Sequence, residues 1–391
     1  MYLRNGKIGV IDLETGESSE EEMISDSASS IRVSRDLLDK FGPESMVLGT
    51  GLLTGSLIPA SCAGTIVAGK KTMPLLGYAG IELKLSGFDF LVVNGRASKT
   101  GYVWARDGIV EFVELASAAR INSWQRTDKI RADQGDSKIQ VVSAGPWCDA
   151  VNPASQLIID HWGGEDKVGM GAEFGKRNLT AVAFRGMGEL EVAEPETHFS
   201  KCVSLIRNHL SKLGPNMGLS SYYEGARKED FASLVHRSVG CYGCPFPCRT
   251  FVKTEEDPKE MRLMHREPGY LHYDIPALAR AAELGLSALD AARVFVRCAQ
   301  AGAEPVAVLN ACSAKRDRVD ANMIERLMVT PTEIEVSFKG NFEASFQDKH
   351  DYESSLGLGL CPRYWSKVGY DLDSLSSCIE SALGSKLPSV D

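Results

Sequence analysis

Residues 88–115 read FDFLVVNGRASKTGYVWARDGIVEFVEL. FDFLVVNG is a short apolar run closed by Asn94-Gly95, the pattern of a strand meeting a turn. GYVWARDGIVEFVEL contains two more strands. Arg106-Asp107-Gly108 joins them as a hairpin, because Asp-Gly reaches the positive-φ turn that a tight antiparallel connection needs. Three strands in under thirty residues predict a sheet-built first half, and the flanking sequence agrees. KIGVIDLETGE (residues 7–17) is a short strand with a turn at Thr15-Gly16. VLGTGLLTGSLIP (47–59) is a run of small residues with repeated turn signals. KIQVVSAGP (138–146) is another strand, and VGMGAEFGKRNLTAVAFRGMG (168–188) is a glycine-rich loop feeding a strand. A helix is expected over Asp26–Phe41.

The texture changes at Glu194-Pro195-Glu196. Helical patterns follow at HFSKCVSLIRNHLSKLG (198–214), EDFASLVHRS (229–238), IPALARAAELG (275–285), SALDAARVFVRCAQAG (287–302) and DLDSLSSCIESALG (371–384). Ser287 and Asp290 form an S-x-x-D cap, and Gly302 is placed to end that helix. TEIEVSFKGNFEASF (332–346) alternates like a strand. The expected architecture is an α+β chain. An N-terminal domain of antiparallel sheets spans residues 1–195, and a mostly helical domain spans 196–391.

Composition is that of an ordinary globular chain, with 43% hydrophobic and 24% charged residues. A net charge of −9 argues against a nucleic-acid binder, which needs a basic footprint. No apolar run is long enough to span a bilayer, and the N-terminus lacks the apolar core of a secretory signal. A cytoplasmic location is expected. The ten cysteines are then metal ligands where clustered and small hydrophobes where scattered.

The clustered ones are Cys241, Cys244 and Cys248, in CYGCPFPC. Pro245 and Pro247 keep this loop out of a helix, and Gly243 permits close backbone approach. Two metals fit the spacing. Zn²⁺ accepts four thiolates, but its sites usually pair two C-x₂-C knuckles, and no second knuckle follows. Three close thiols plus a remote one is the habit of an iron–sulfur cluster. Radical enzymes using adenosylmethionine show the opposite order, C-x₃-C-x₂-C. Cys298, Cys312, Cys361 and Cys378 are candidates for the fourth ligand. Cys298 and Cys378 lie in helical patterns, where packing explains them. Cys361 closes the glycine-rich LGLGLC (356–361) before Pro362 and is the choice made here.

Other residues have a bland reading beside a functional one. His161, after Asp160, suggests catalysis, but a locally satisfied loop histidine explains it as well. His265 and His272 flank EPGY; His272, beside Tyr273 and Asp274, could gate proton or electron transfer, or simply pack at a helix entry. EEDPKE (255–260) reads as a solvated loop. Arg249 either tunes a cluster beside Cys248 or is a surface charge. The glycines of VGMGAEFG either cradle a phosphate with backbone amides or allow tight packing.

The chain resembles the aldehyde ferredoxin oxidoreductase family, tungstopterin enzymes that oxidise aldehydes to carboxylates and reduce ferredoxin. The resemblance runs in order through KIGVIDLETGE, LGTGLLTGSLIPA, LLGYAGIELKLSGFDFLVVNGRA, GAEFGKRNLTAVAFRG, CYGCPFPC, EPGYLHYDIPALARAAELGLS and GLC. It implies one [4Fe–4S] cluster held by Cys241, Cys244, Cys248 and Cys361. It also implies a pterin loop at Lys167, Gly169 and Gly171.

The departures concern the pterin. Leu356 stands where the family's D-x-x-G-L-C motif has Asp. Ala299, Gly302 and Glu304 stand in the frame of the second motif, whose leading acid is absent. Ala63 occupies a phosphate-binding Arg position, and Lys167 replaces Arg without its bidentate fork. The family's subunit-bridging E-x-x-H is not visible in DAARVFVRC. Family material between about Pro305 and Cys361 is much reduced, so the third family domain is largely missing. The implied protein keeps the electron-transfer cluster, has lost the tungstopterin, and works with a redox partner such as ferredoxin. It would assemble as a homo-oligomer or with a full-length catalytic relative. An active tungstopterin oxidoreductase and a structural or ligand-binding protein with a Zn-Cys₄ site are the alternatives.

Overall fold

The computed structural model describes residues 2–213, 234–252, 274–314 and 349–390. The first half is built on two sheets. The larger contains β1 (Lys7–Asp12), β2 (Ser18–Glu22), β3 (Met46–Thr50), β4 (Gly64–Ala68), β5 (Lys71–Leu75) and β6 (Phe90–Asn94), in the order β2-β1-β6-β3-β4-β5. The smaller contains β7 (Gly101–Arg106), β8 (Ile109–Glu114), β9 (Gln140–Ser143), β10 (Ile158–Ile159) and β11 (Leu179–Arg185), in the order β10-β9-β11-β7-β8.

Each sheet carries one parallel pairing within its antiparallel ladder, β1 with β6 and β7 with β11. The partners in each pair are far apart in sequence. The chain between them has room for the crossover that a parallel pair requires. The hairpin at Asp107-Gly108 forms as expected, with φ of 43° and 81° at the two turn residues.

Alternation along the strands explains the stacking. Phe90 and Val92 of β6 face one cluster, with Leu37 and Leu38 of helix α1 (Ser30–Phe41). Leu91 and Val93 face the opposite cluster, where the larger sheet meets Val182 and Phe184 of β11. The remaining face of β11, Ala181 and Ala183, packs on Ile130 of the helix Ser123–Gln134. The run FLVV is apolar at every position because both of its faces are covered.

Helices Pro195–Leu213, Ile275–Glu283, Ala288–Ala301 and Pro305–Ala314 follow. Lys349–Gly357, Pro362–Val368 and Leu372–Leu383 come last. Ser287 caps the Asp290 amide and Gly302 ends that helix at φ 69°, as the sequence indicates. Two apolar clusters join both sides of Pro195. One unites Trp124 and Trp147 with Phe295 and Leu309. The other unites Leu52, Leu53 and Cys62 with Phe246, Leu358 and Trp365. Among the described residues, no helix is long and apolar enough to cross a membrane.

Two local expectations are corrected. The described part of the helix expected over 229–238 contains a strand, Val235–Val239, paired antiparallel with Arg249–Val252. Ladder pairing across the cysteine loop overrides the local helical pattern. The glycine-rich loop at 168–178 contains the helix Met170–Lys176 before β11 begins. His265, His272, the EEDPKE run and the strand expected at 332–346 lie outside the described residues.

Candidate thiol site

Two segments converge on the cysteine loop, residues 241–248 between the strands Val235–Val239 and Arg249–Val252: residues 58–63 between β3 and β4, and residues 358–361. Backbone hydrogen bonds join them. Ala60 donates its amide to Gly243 O (3.0 Å), Cys361 donates to Ala60 O (2.9 Å), and Ala63 donates to Gly359 O (2.9 Å). Within the loop, Cys244 donates to Cys241 O at 3.1 Å and Gly243 holds φ 58°. Behind the first segment, the buried Lys84 donates to the carbonyls of Gly51, Leu52 and Thr54, each at 3.0 Å. Burial lowers its pKa to about 8.

Cys241, Cys248 and Cys361 are buried in one apolar cluster, with Cys244 packed against it. Cys62, a residue not singled out from the sequence, lies there too. It is fully buried and lies beside Cys241 and Cys361. These contacts raise the Cys62 thiol well above its ordinary pKa. They lower Cys241 and Cys361 against the opposing effect of burial. The backbone at Gly77 also favours the Cys241 thiolate, and that at Tyr364 the Cys361 thiolate. Burial, by contrast, raises Cys244 well above the ordinary range and Cys248 to about 12.

Two guanidiniums flank the sulfurs. Arg363 Nη1 donates to Cys248 Sγ at 3.7 Å, and its Nη2 approaches Glu165 Oε2 at 3.4 Å. Arg249 is 3% exposed, so it is a buried charge and not a surface one. Its guanidinium lies over the Trp162 ring at 5.5 Å, while its Nε and Nη2 have no hydrogen-bond partner. Glu165 is itself 1% exposed, and burial raises its pKa to about 7 despite Arg363 and Arg249. Sequence reading missed Cys62 and Glu165 because they reach the site only through contacts distant in sequence, and missed Arg363 because its role lies in its contacts with Cys248 and Glu165.

Among the described residues, no three His, Cys, Asp or Glu side chains are gathered closely enough to hold a single metal ion. The gathered side chains are thiols in one apolar cluster. The two buried cations beside five thiols, one with orphaned donors, also call for an anion.

The glycine-rich loop makes a different arrangement. Lys167 Nζ is paired with Asp274 Oδ2 and with Glu304 Oε1 (2.8 Å). Burial opposes its charge, but these two carboxylates hold its pKa above the ordinary range. The amides of Leu157, Val168, Met170 and Gly171 all donate to the carboxylate of Asp166, at 2.9–3.1 Å. A Cβ on Gly171 would lie 2.7 Å from Cys148 Sγ, so close packing requires glycine there. A cavity of about 190 Å³ adjoins Lys167 and Glu165 and is also lined by Arg35, Lys70 and Tyr352.

Other candidates are held locally. His161 Nε2 bonds Asp128 Oδ1 at 2.9 Å, with Trp124 edge-on to its ring. Leu356 is fully buried in the apolar cluster around the thiols. Cys298 and Cys312 lie in the separate core around Phe295. Cys378 contacts Cys202 instead of the five-thiol group.

Residues 8–186 match the family model described as aldehyde ferredoxin oxidoreductase, N-terminal domain. The chain is 24% identical over 302 residues to the tungsten-containing aldehyde ferredoxin oxidoreductase of Pyrococcus furiosus, covering 63% of this chain and 49% of that protein. It is 26% identical over 255 residues to the protein of the same name from Pyrococcus horikoshii, covering 54% and 40%. The matches thus span half or less of the relatives' length. The active-site complex BamBC of benzoyl coenzyme A reductase, solved with 1,5-dienoyl-CoA, superposes with a TM-score of 0.67 at 15% identity. It covers 96% of this chain and 65% of that one, and shows a shared fold.

Proposed function

We propose that this chain, similar over residues 8–186 to the aldehyde ferredoxin oxidoreductase N-terminal domain, is a divergent member of that family and an electron-transfer protein carrying one [4Fe–4S] cluster without a tungstopterin. Cys241, Cys244, Cys248 and Cys361 would hold the cluster. When bound, it supplies one-electron transfer at a potential set by its surroundings. The chain's own residues prepare for that charge. Arg363 and Arg249 place two cations beside the sulfurs. Each favours the more negative, reduced state and so raises the potential. The apolar cluster around the loop excludes water. The observation that carries the reading is the orphaned, buried guanidinium of Arg249 beside a convergent set of thiols.

The described residues do not suit a tungstopterin. Its phosphates need unspent cations or free amides. Lys167 is neutralised by two carboxylates, and Asp166 already occupies the amides at the glycine loop. Electrons would reach a partner such as ferredoxin. The chain would function as an oligomer, with itself or with a full-length catalytic relative.

Metal analysis of anaerobically purified protein tests this. About four irons per chain without tungsten or molybdenum is expected. Stoichiometric tungsten or molybdenum would restore the oxidoreductase reading and sink this one. Zinc without iron would leave a structural Cys₄ site.

A further inference from the structure

A second pair of thiols lies away from the cysteine loop, between the packed helices Pro195–Leu213 and Leu372–Leu383. Backbone bonds tie one end of this contact. The amides of Ala193 and Glu194 donate to the carbonyls of Ala382 (2.8 Å) and Ser381 (3.0 Å). Farther along, Lys201 Nζ donates to Ser377 O at 2.9 Å. His198 lies between these ties. Its Nδ1 is 3.0 Å from the carbonyl of Cys378, which can only accept, so Nδ1 carries the proton. Burial lowers the pKa of His198 and favours the neutral ring, which leaves Nε2 as an acceptor. Cys202 Sγ lies 3.7 Å from that Nε2. One imidazole therefore touches Cys202 through its sulfur and Cys378 through its carbonyl. Cys202 and Cys378 are both buried in the same apolar cluster, at 2% and 5% exposure. Each thiol also shifts the ionisation of the other. Packing alone asks for apolar groups at these positions, and not for a buried imidazole with a nitrogen turned to sulfur.

We propose that Cys202 and Cys378 form a reversible disulfide that locks the helix Leu372–Leu383 onto the helix Pro195–Leu213 when the protein meets a peroxide. Cys378 reacts first. It is the more exposed of the two, and the ammonium of Lys201 on the neighbouring carbonyl of Ser377 favours its thiolate. The thiolate attacks the peroxide, the O–O bond breaks, and a sulfenic acid and hydroxide form. The Cys202 sulfur then attacks the Cys378 sulfur. Its S–H proton passes to His198 Nε2 and on to the departing hydroxide as the S–O bond breaks. Two thiols lose two electrons and two protons in all, and one peroxide becomes two waters. A dithiol reductant reverses the reaction, so in a reducing compartment the bond is transient and reports oxidation. This pair stands apart from the cysteine loop, and the proposal holds with or without a cluster there.

The test takes full-length protein purified anaerobically, treats it with hydrogen peroxide, blocks free thiols with iodoacetamide and maps the digested peptides by mass spectrometry. The peptides carrying Cys202 and Cys378 are expected as one cross-linked species, lighter by two hydrogens than the pair and separated again by dithiothreitol. In Cys202→Ser the sulfenic acid has no resolving thiol, so dimedone is expected to label Cys378. Recovery of Cys202 and Cys378 as separate alkylated peptides, at a peroxide dose that oxidises other thiols of the chain, overturns the proposal. Linkage of either thiol to a different cysteine overturns it as well. The wild-type map decides the question even if Cys202→Ser fails to fold, and iron content does not enter the readout.

Discussion

The backbone amide of Cys361 donates to the carbonyl of Ala60 at 2.9 Å, and Ala60 passes its own amide to Gly243 at 3.0 Å. One residue therefore ties the distant cysteine to the cysteine loop. Ala60 does so at φ 60°, a conformation that costs an L-residue roughly 1–2 kcal/mol. Ala60→Gly removes that strain but makes the unfolded chain more flexible, so stability should change by less than about 1 kcal/mol. Ala60→Pro cannot reach this φ and loses the donor to Gly243. It should cost about 3 kcal/mol or more and lower iron content. Urea unfolding and iron analysis of the two variants check the contrast. Equal behaviour would mean that Ala60 does not organise the site.

Gly77 should be sensitive to substitution, through its contact with Arg249. It holds φ 88°, and a Cβ there would lie 2.6 Å from Arg249 Nη1. Gly77→Ala therefore strains the backbone and pushes a buried cation away from Cys241. A loss of about 1–3 kcal/mol and a lower cluster potential are expected. Arg249→Gln should lower the potential as well, while leaving the Gly77 backbone unstrained. Redox titration of both variants makes the comparison. An unchanged potential in Arg249→Gln would show that this charge does not act on the cluster.

Much of the sheet half was legible because its information is local. Asp107-Gly108 specifies a hairpin by turn chemistry alone, and Ser287 with Gly302 brackets a helix by capping alone. Parallel pairing of β1 with β6 was not legible, since register between strands eighty residues apart depends on burial of both faces. The strand at Val235–Val239 was missed for the same reason, its partner lying beyond the cysteine loop. At the site, the spacing of Cys241, Cys244 and Cys248 announced a cluster. Cys62 sat unnoticed in PASCAG, because what distinguishes it is contact with Cys241 and Cys361. Lys167 was read as a surviving positive charge. Its neutralisation depends on Asp274 and Glu304, more than a hundred residues away.

That neutralisation is itself testable. Lys167→Ala leaves Asp274 and Glu304 buried without their cation. Breaking a buried pair from one side costs on the order of 3–5 kcal/mol, because uncompensated charge remains. Urea denaturation should show a loss in this range, with tungsten and molybdenum absent from both proteins. A stable Lys167→Ala protein would mean that the lysine is free for an external anion.

Glu165 should make stability depend on pH across the weakly acidic range. Its carboxyl is 1% exposed, Oε1 has no hydrogen-bond partner, and burial raises its pKa from 4.5 to about 7. Between these values the folded protein holds a proton that the unfolded chain has released. The stabilisation is therefore fully present below about pH 4.5 and lost as pH rises to about 7. The shift corresponds to on the order of 3 kcal/mol. Glu165→Gln cannot ionise, so it should lack this slope. In the cluster-free protein, wild type should lose stability relative to Glu165→Gln from pH 4.5 to 7 and run parallel above that. The check is urea unfolding of both proteins at several pH values. Parallel curves throughout would mean that Glu165 ionises normally, held as a carboxylate by Arg363 at 3.4 Å.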